Sequence, residues 1–153
     1  MKGQSIWINY VLYLAFAIST IAAVLSVVVP YLEVQKAKYY LNYCENLISF
    51  INGQVNFLKK IYKGNESFNI ELPENTFLEI RDKKIFCNVT LRRNLNIYYK
   101  SVYNYTCFSH GTLKICSIYT KTDIENDLKP ITGKAKILLI KNESGIFINI
   151  SNQ

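Results

Sequence analysis

The sequence predicts an α+β protein in which a long, bent N-terminal helix packs on a mainly antiparallel β-sheet head domain. The first half of that helix is expected to be hydrophobic throughout and the second half amphipathic. Three observations predict this. No charged residue occurs between Gln4 and Leu32. From Val34 to Tyr62, apolar or small residues recur at steps of three and four. Beyond Gly64 the chain breaks into short strand-like runs separated by turn signals. The 153 residues suffice for one modest domain and an anchor. No repeat, Pro-rich tract or Gly/Ser linker separates the two.

The hydrophobic segment comes first. As a helix, residues 6–32 rise roughly 40 Å, more than the ~30 Å hydrocarbon core of a bilayer requires. Along it, Ala15, Ser19, Ala22 or Ala23, and Ser26 recur at three- or four-residue intervals on one face. Helices in an apolar medium associate through close backbone approach along such small-residue stripes. Pro30 removes one helical hydrogen bond and clashes with the carbonyl of Ser26, so a bend is expected there. Val29 is a poor N-cap for a new helix, which favours one bent helix over two.

Three fates are open to this segment. A conventional signal peptidase would cut after Ala15-Phe16-Ala17, leaving Ile18 to Leu32 as an apolar start to the mature chain. An uncleaved signal anchor would keep every residue. The third fate rests on the opening residues, Lys2-Gly3-Gln4-Ser5, which stand directly before the uncharged stretch. A basic residue and Gly preceding Gln resembles the archaeal form of the class III signal that prepilin peptidase cleaves. The chain is thereby similar to archaeal type IV pilin-like proteins over about its first third. The resemblance implies processing at Lys2, Gly3 and Gln4, with residues 1–3 as leader and Gln4 as the mature N-terminus. Together with the spacing and turn signals further along the chain, the expected layout is a hydrophobic helix over 4–32, an amphipathic helical stalk over 33–63 and a β-domain over 64–153. Glycine suits the cleaved bond because backbone without a side chain enters a protease cleft freely.

What the resemblance implies about partners follows. The helix would sit among membrane lipid before assembly and against identical or related pilin subunits afterwards, with prepilin peptidase as the processing enzyme. The implied function is a structural subunit of a type IV pilus-like surface filament, and no cofactor is expected. One departure stands out. Bacterial pilins carry Glu at the fifth mature position, where it pairs with a neighbour's N-terminal amine, and here that position is Ile8. This leaves open a second reading: a monotopic, membrane-anchored ectodomain serving as a binding or accessory component of an archaeal motility or secretion machine.

After the span the spacing runs Val34, Ala37, Leu41, Cys44, Ile48, Ile51, Val55, Leu58, Tyr62, widened by Leu47 and Ile61. This a/d pattern predicts an amphipathic helix that either grips the β-domain or pairs as a coiled coil. Asn52-Gly53 reads as a turn, yet the pattern keeps phase across it and predicts continuity. The strands expected are Ser67–Leu72, Thr76–Arg81, Lys84–Leu91, Leu95–Ser109, Thr112–Thr120, Lys136–Lys141 and Gly145–Ile150. Residues 121–133 form the one longer connection.

Four cysteines, Cys44, Cys87, Cys107 and Cys116, lack the paired spacing of a zinc site. Outside the cytoplasm they would form two disulfides; in a reducing compartment they would be buried thiols. Gly111-Thr112 fits a type II′ turn, and counting outward from it Cys107 faces Cys116 in a non-hydrogen-bonded pair, where Cβ atoms lie closest. Cys44 is left for Cys87, which alternates in phase with Ile85, Val89 and Leu91.

Five N-x-S/T sequons begin at Asn65, Asn88, Asn104, Asn142 and Asn149. Asn65 and Asn142 are expected in loops. Asn88 and Asn149 alternate with apolar neighbours and are expected to point outward. At least two of the five should be modified in a host that N-glycosylates. Lys2 precedes the span while Lys36 and Lys38 follow it, so the positive-inside rule does not orient the chain. The sequons and cysteines place the C-terminal domain outside the cytoplasm, on a single-pass protein of the cell membrane.

Lys and Arg number 18 against 11 Asp and Glu, a formal charge of +7. The basic residues are scattered rather than gathered into a stripe, so no specific nucleic acid is expected. No phosphate-binding Gly-rich loop, H-E-x-x-H or nucleophile elbow is present in the sequence. His110, the one histidine, flanks a tight turn, so a Cys–His catalytic pair with Cys107 is disfavoured and no enzymatic role is expected.

Overall fold

The computed structural model describes the backbone of residues 2–92 and 95–152, and side chains over 7–92 and 95–150. One helix, α1 (Lys2–Lys59), is followed by eight strands. These are β1 (Gly64–Glu71), β2 (Thr76–Arg81), β3 (Lys84–Arg92), β4 (Asn104–His110), β5 (Leu113–Lys121), β6 (Leu128–Ile131), β7 (Lys134–Asn142) and β8 (Gly145–Asn152). Pro30 lies inside α1 without ending it. The chain divides into two compact units, Met1–Lys36 and Ala37–Gln153. The second half of the helix therefore belongs with the strands in one unit.

Within that second unit the heptad stripe is the buried one. Ala37, Leu41, Cys44, Ile48, Ile51, Val55 and Leu58 are all at most 2% exposed, so the stripe grips the sheets and does not await a coiled-coil partner. Leu47 joins it, and Ile61 packs against it half-buried. Helix runs through Asn52 and Gly53, as the unbroken phase predicts. The expected stalk is a little too long. The helix ends at Lys59, where Lys60 and Ile61 N–H groups turn back to the Phe57 and Leu58 carbonyls, and Tyr62 beyond that end is exposed.

The strands form two antiparallel sheets, not one. The smaller has the order β1-β7-β8 and the larger β4-β5-β3-β2-β6. Both contribute to a single core with the helix, the larger through Leu78, Ile80, Ile85, Cys87, Val89 and Ile118, the smaller through Ile70, Ile137, Leu139, Ile146 and Ile148. The β2–β3 hairpin turns on Asp82 and Lys83, whose φ values of 52° and 55° match the two left-handed positions of a type I′ turn. At the β4–β5 hairpin Gly111 alone takes positive φ, 58°, as a type II′ turn requires. The register is the one counted from that turn: His110 faces Leu113, Ser109 faces Lys114, Phe108 faces Ile115 and Cys107 faces Cys116.

Two expectations about strands are corrected. Leu95–Ser109 is not one strand, since only Asn104–His110 pairs. Strands β3 and β4 flank β5 and both run antiparallel to it, so they are parallel to each other. The intervening chain must return along the full length of the sheet before β4 begins. Residues 95–103 make part of that return outside any strand, with Leu95, Ile97, Tyr99 and Tyr103 packed on the core. Alternate residues are exposed, which is why the stretch reads as a strand although it joins no ladder. Conversely, the 121–133 connection contains β6, an edge strand on β2 that accommodates Pro130. Its four residues are too short for an alternating pattern to announce them.

Candidate functional site

The first unit offers an apolar helical surface. Every side chain from Trp7 to Leu32 is exposed, with Trp7 and Phe16 each 72% exposed. This is the one helix, among the described residues, that is long and apolar enough to cross a membrane, and it lies near the N-terminus. Three of its hydroxyls bond within the helix itself. Ser19 Oγ donates to the Phe16 carbonyl at 2.9 Å, Thr20 Oγ1 to the same carbonyl at 2.5 Å, and Ser26 Oγ to the Ala23 carbonyl at 2.7 Å. A hydroxyl satisfied by its own helix costs little in hydrocarbon, where an unmet donor costs several kcal/mol. Ala15, Ser19, Ala22, Ala23 and Ser26 all lie on the exposed surface. The backbone at Lys2, Gly3 and Gln4 is helical, whereas the side chains at these three expected processing positions lie outside the described residues.

In the second unit all four cysteines are bonded. Cys44 on α1 joins Cys87 on β3 with Cα atoms 5.4 Å apart, and Cys107 joins Cys116 across the β4–β5 hairpin at 4.1 Å. These are the pairs reached from turn register and strand phase. Cys87 lies on the inner face with Ile85, Val89 and Leu91, all buried. Tyr105 caps the hairpin bridge, its hydroxyl 2.9 Å from Cys107 Sγ and 3.5 Å from Cys116 Sγ. A disulfide sulfur carries no hydrogen, so the phenol is the donor. Burial pushes the Tyr105 pKa up. Because Cys107 is bonded, it holds no thiolate for His110, which is exposed beside the turn.

The sequons separate into two groups. Asn65, Asn104, Asn142 and Asn149 are exposed. Asn65 is not in a loop but in β1, and Asn142 is the last residue of β7, where its Oδ1 accepts the Ser144 and Gly145 N–H groups at 2.9 and 3.1 Å. Asn88 corrects the outward expectation. It does lie on the face opposite Cys87, but it is only 4% exposed. Ser117 donates to its Oδ1, and its Nδ2 lies 3.5 Å from Glu79 Oε1. Strand β3 is central, with β5 and β2 on either side, so neighbours close over the outer face as well as the inner one. Period-two alternation assigns a residue to a face without saying whether that face is open.

Sequence reasoning missed a polar clamp. Glu45, on the helix, holds the returning 95–103 segment with both carboxylate oxygens. The Tyr99 hydroxyl lies 2.6 Å from Oε2, and the Val102 N–H donates to Oε1 at 2.9 Å. Asn42 Oδ1 is 2.9 Å from the same hydroxyl. Burial and the adjacent Glu45 carboxylate together raise the Tyr99 pKa well above the ordinary phenol value. Asn42, Glu45, Asn46 and Ser49 line a shallow cleft with Val102 and Tyr103. Nothing local in the sequence marks this site, because its partners are 54 or more residues apart. Likewise Asn126 imitates a strand: its amide bonds both the Ile148 N–H and the Ile148 carbonyl at 2.7 Å, closing part of the open edge of β8.

Among the described residues, no three His, Cys, Asp or Glu side chains gather into a group that could hold a metal ion. No family model matches this chain, and no curated protein or solved structure matches it at a significant level.

Proposed function

We propose that this chain is a structural subunit of a type IV pilus-like surface filament, anchored by its N-terminal helix and carrying its disulfide-bonded domain outside the cytoplasm. The observation that carries the reading is the uncovered apolar surface from Trp7 to Leu32, directly behind Lys2-Gly3-Gln4. So much contiguous apolar surface demands a non-aqueous environment. A bilayer supplies it before assembly, and the packed helices of a filament supply it afterwards. The back-bonded Ser and Thr hydroxyls and the small-residue stripe support close helix approach in either setting. Two disulfides support an oxidising compartment for the second unit.

A second reading is favoured by Ile8, which stands where bacterial pilins use Glu for assembly. In that reading the helix is a permanent anchor and the domain is an accessory or binding component of a surface machine. N-terminal sequencing of protein from its own cells separates the two. A start at Gln4 supports the filament subunit. A start at Met1 or Lys2 supports the permanent anchor, and a start at Ile18 defeats both.

A further inference from the structure

The outer face of the three-stranded sheet is divided into a charged half and an uncharged half, and the sequons fall on the latter. Cross-strand register fixes the rows. Asn65 faces Ile140, which faces Phe147; Ser67 faces Leu138, which faces Asn149. Asn142 lies two residues past Ile140 on the same side of β7. The opposite half carries Lys136 and the Lys134–Glu71 ion pair. Leu138, Ile140 and Phe147 are half-buried and form an apolar strip with water on their outer side. Strand geometry sets the three asparagines roughly 8–14 Å apart around that strip, within reach of short saccharides. Asn65 is on the edge strand β1, Asn149 on β8 just past the stretch that Asn126 covers, and Asn142 at a hairpin end; all three are exposed.

We infer that Asn65, Asn142 and Asn149 carry N-linked saccharides that together cover the apolar strip of Leu138, Ile140 and Phe147, and that Asn88 carries none. The inference rests on the extracytoplasmic placement proposed above but not on filament assembly. In each transfer the asparagine Nδ2 attacks C1 of a lipid-phosphate-activated saccharide. The N–C1 bond forms, the C1–oxygen bond to phosphate breaks, the lipid phosphate leaves, and one amide proton passes to base. At Asn142 the turn engages the amide oxygen, while the new bond forms at nitrogen. At Asn88, by contrast, the whole amide is buried between Ser117 and Glu79.

Glycopeptide mapping of protein from its own cells tests this directly. Saccharide on Asn65, Asn142 and Asn149, with Asn88 bare, is the expected result. Any of the three bare in most molecules, or Asn88 modified, overturns it. Labelling lysines of intact cells with a membrane-impermeant reagent keeps the two readings apart. Labelled lysines with bare asparagines defeat this inference alone, whereas unlabelled lysines defeat the placement and the inference with it. The covering role has its own test in the combined Asn65→Gln, Asn142→Gln, Asn149→Gln variant, with both disulfides verified by mapping. In it, hydroxyl radicals should oxidise the Leu138, Ile140 and Phe147 side chains several-fold faster than in the parent, with the rate at Phe108 on the other sheet unchanged. Equal oxidation of the three side chains in variant and parent overturns the covering role.

Discussion

Tyr99 shows how much a single residue can depend on partners remote in sequence. Its hydroxyl is committed to Glu45, and both burial and that carboxylate oppose its ionisation. Tyr43, bonded to the Glu71 carbonyl at 2.8 Å, and Tyr105, beside the hairpin disulfide, are shifted the same way, chiefly by burial. A phenol with a raised folded-state pKa holds its proton in the folded state at pH values where the unfolded chain has lost it. Folding stability should therefore be complete below the unfolded phenol pKa of 10.0 and fall as pH rises beyond it. Denaturant titrations between pH 9 and pH 11 should show this fall, and Tyr99→Phe should make it shallower. At neutral pH the same substitution should cost about 1 kcal/mol, the net worth of one hydrogen bond, with more lost if Glu45 is left short of a donor. Unchanged alkaline behaviour in Tyr99→Phe would remove Glu45 and Tyr99 as the source. The sequence shows a Tyr and a Glu but not that they meet. Asn88 makes the same point, since its face was legible and its burial was not.

At the scale of elements, the amphipathic half of α1 was the most legible, because only a helix gathers a three-and-four step, kept over four heptads, onto one continuous face. Gly53 tests the one doubtful point in it. It is exposed, inside the helix, and a Cβ there meets nothing within 4 Å. Gly53→Ala should therefore stabilise the protein by about 1 kcal/mol, read as a higher denaturation midpoint at unchanged slope. A destabilised Gly53→Ala would mean that the helix is interrupted there. The two disulfides differ as elements of constraint. Cys44 and Cys87 are 43 residues apart, Cys107 and Cys116 only 9. Loop-closure entropy assigns about 4 kcal/mol to the first and about 3 kcal/mol to the second. Paired Cys→Ala variants should lose stability in that order, and equal losses would show that chain entropy does not govern the difference. The return segment 95–103 reads as a strand because a segment that packs every second residue on a core has the same two-residue period whether or not it joins a sheet.

For the whole molecule, the division after Lys36 matters more than any single contact. The unit Ala37–Gln153 contains the complete buried core, from Ala37 to Ile148, and both disulfides. A chain beginning at Ala37 should fold without detergent, unfold cooperatively and retain all four cysteines as disulfides. The 153-residue chain, with every side chain from Trp7 to Leu32 exposed, should require detergent or lipid to stay dispersed. Scattered thiols or non-cooperative melting in the truncated chain would mean that its core depends on the residues removed.

The sequence by itself determined the two halves of the helix, the α+β class, most strands, and the β4–β5 register that sets Cys107 opposite Cys116. Each of these follows from local periodicity, turn chemistry or counting outward from a turn, which neighbouring residues encode. Only the tertiary structure decided that the strands divide into two sheets, that residues 95–103 return along the larger one, and that Asn88 is closed over. It also brought Asn65, Asn142 and Asn149 onto one half of one sheet face. Those outcomes depend on which strands become neighbours. That choice is made by burial summed over the whole core, and no short stretch of sequence carries it.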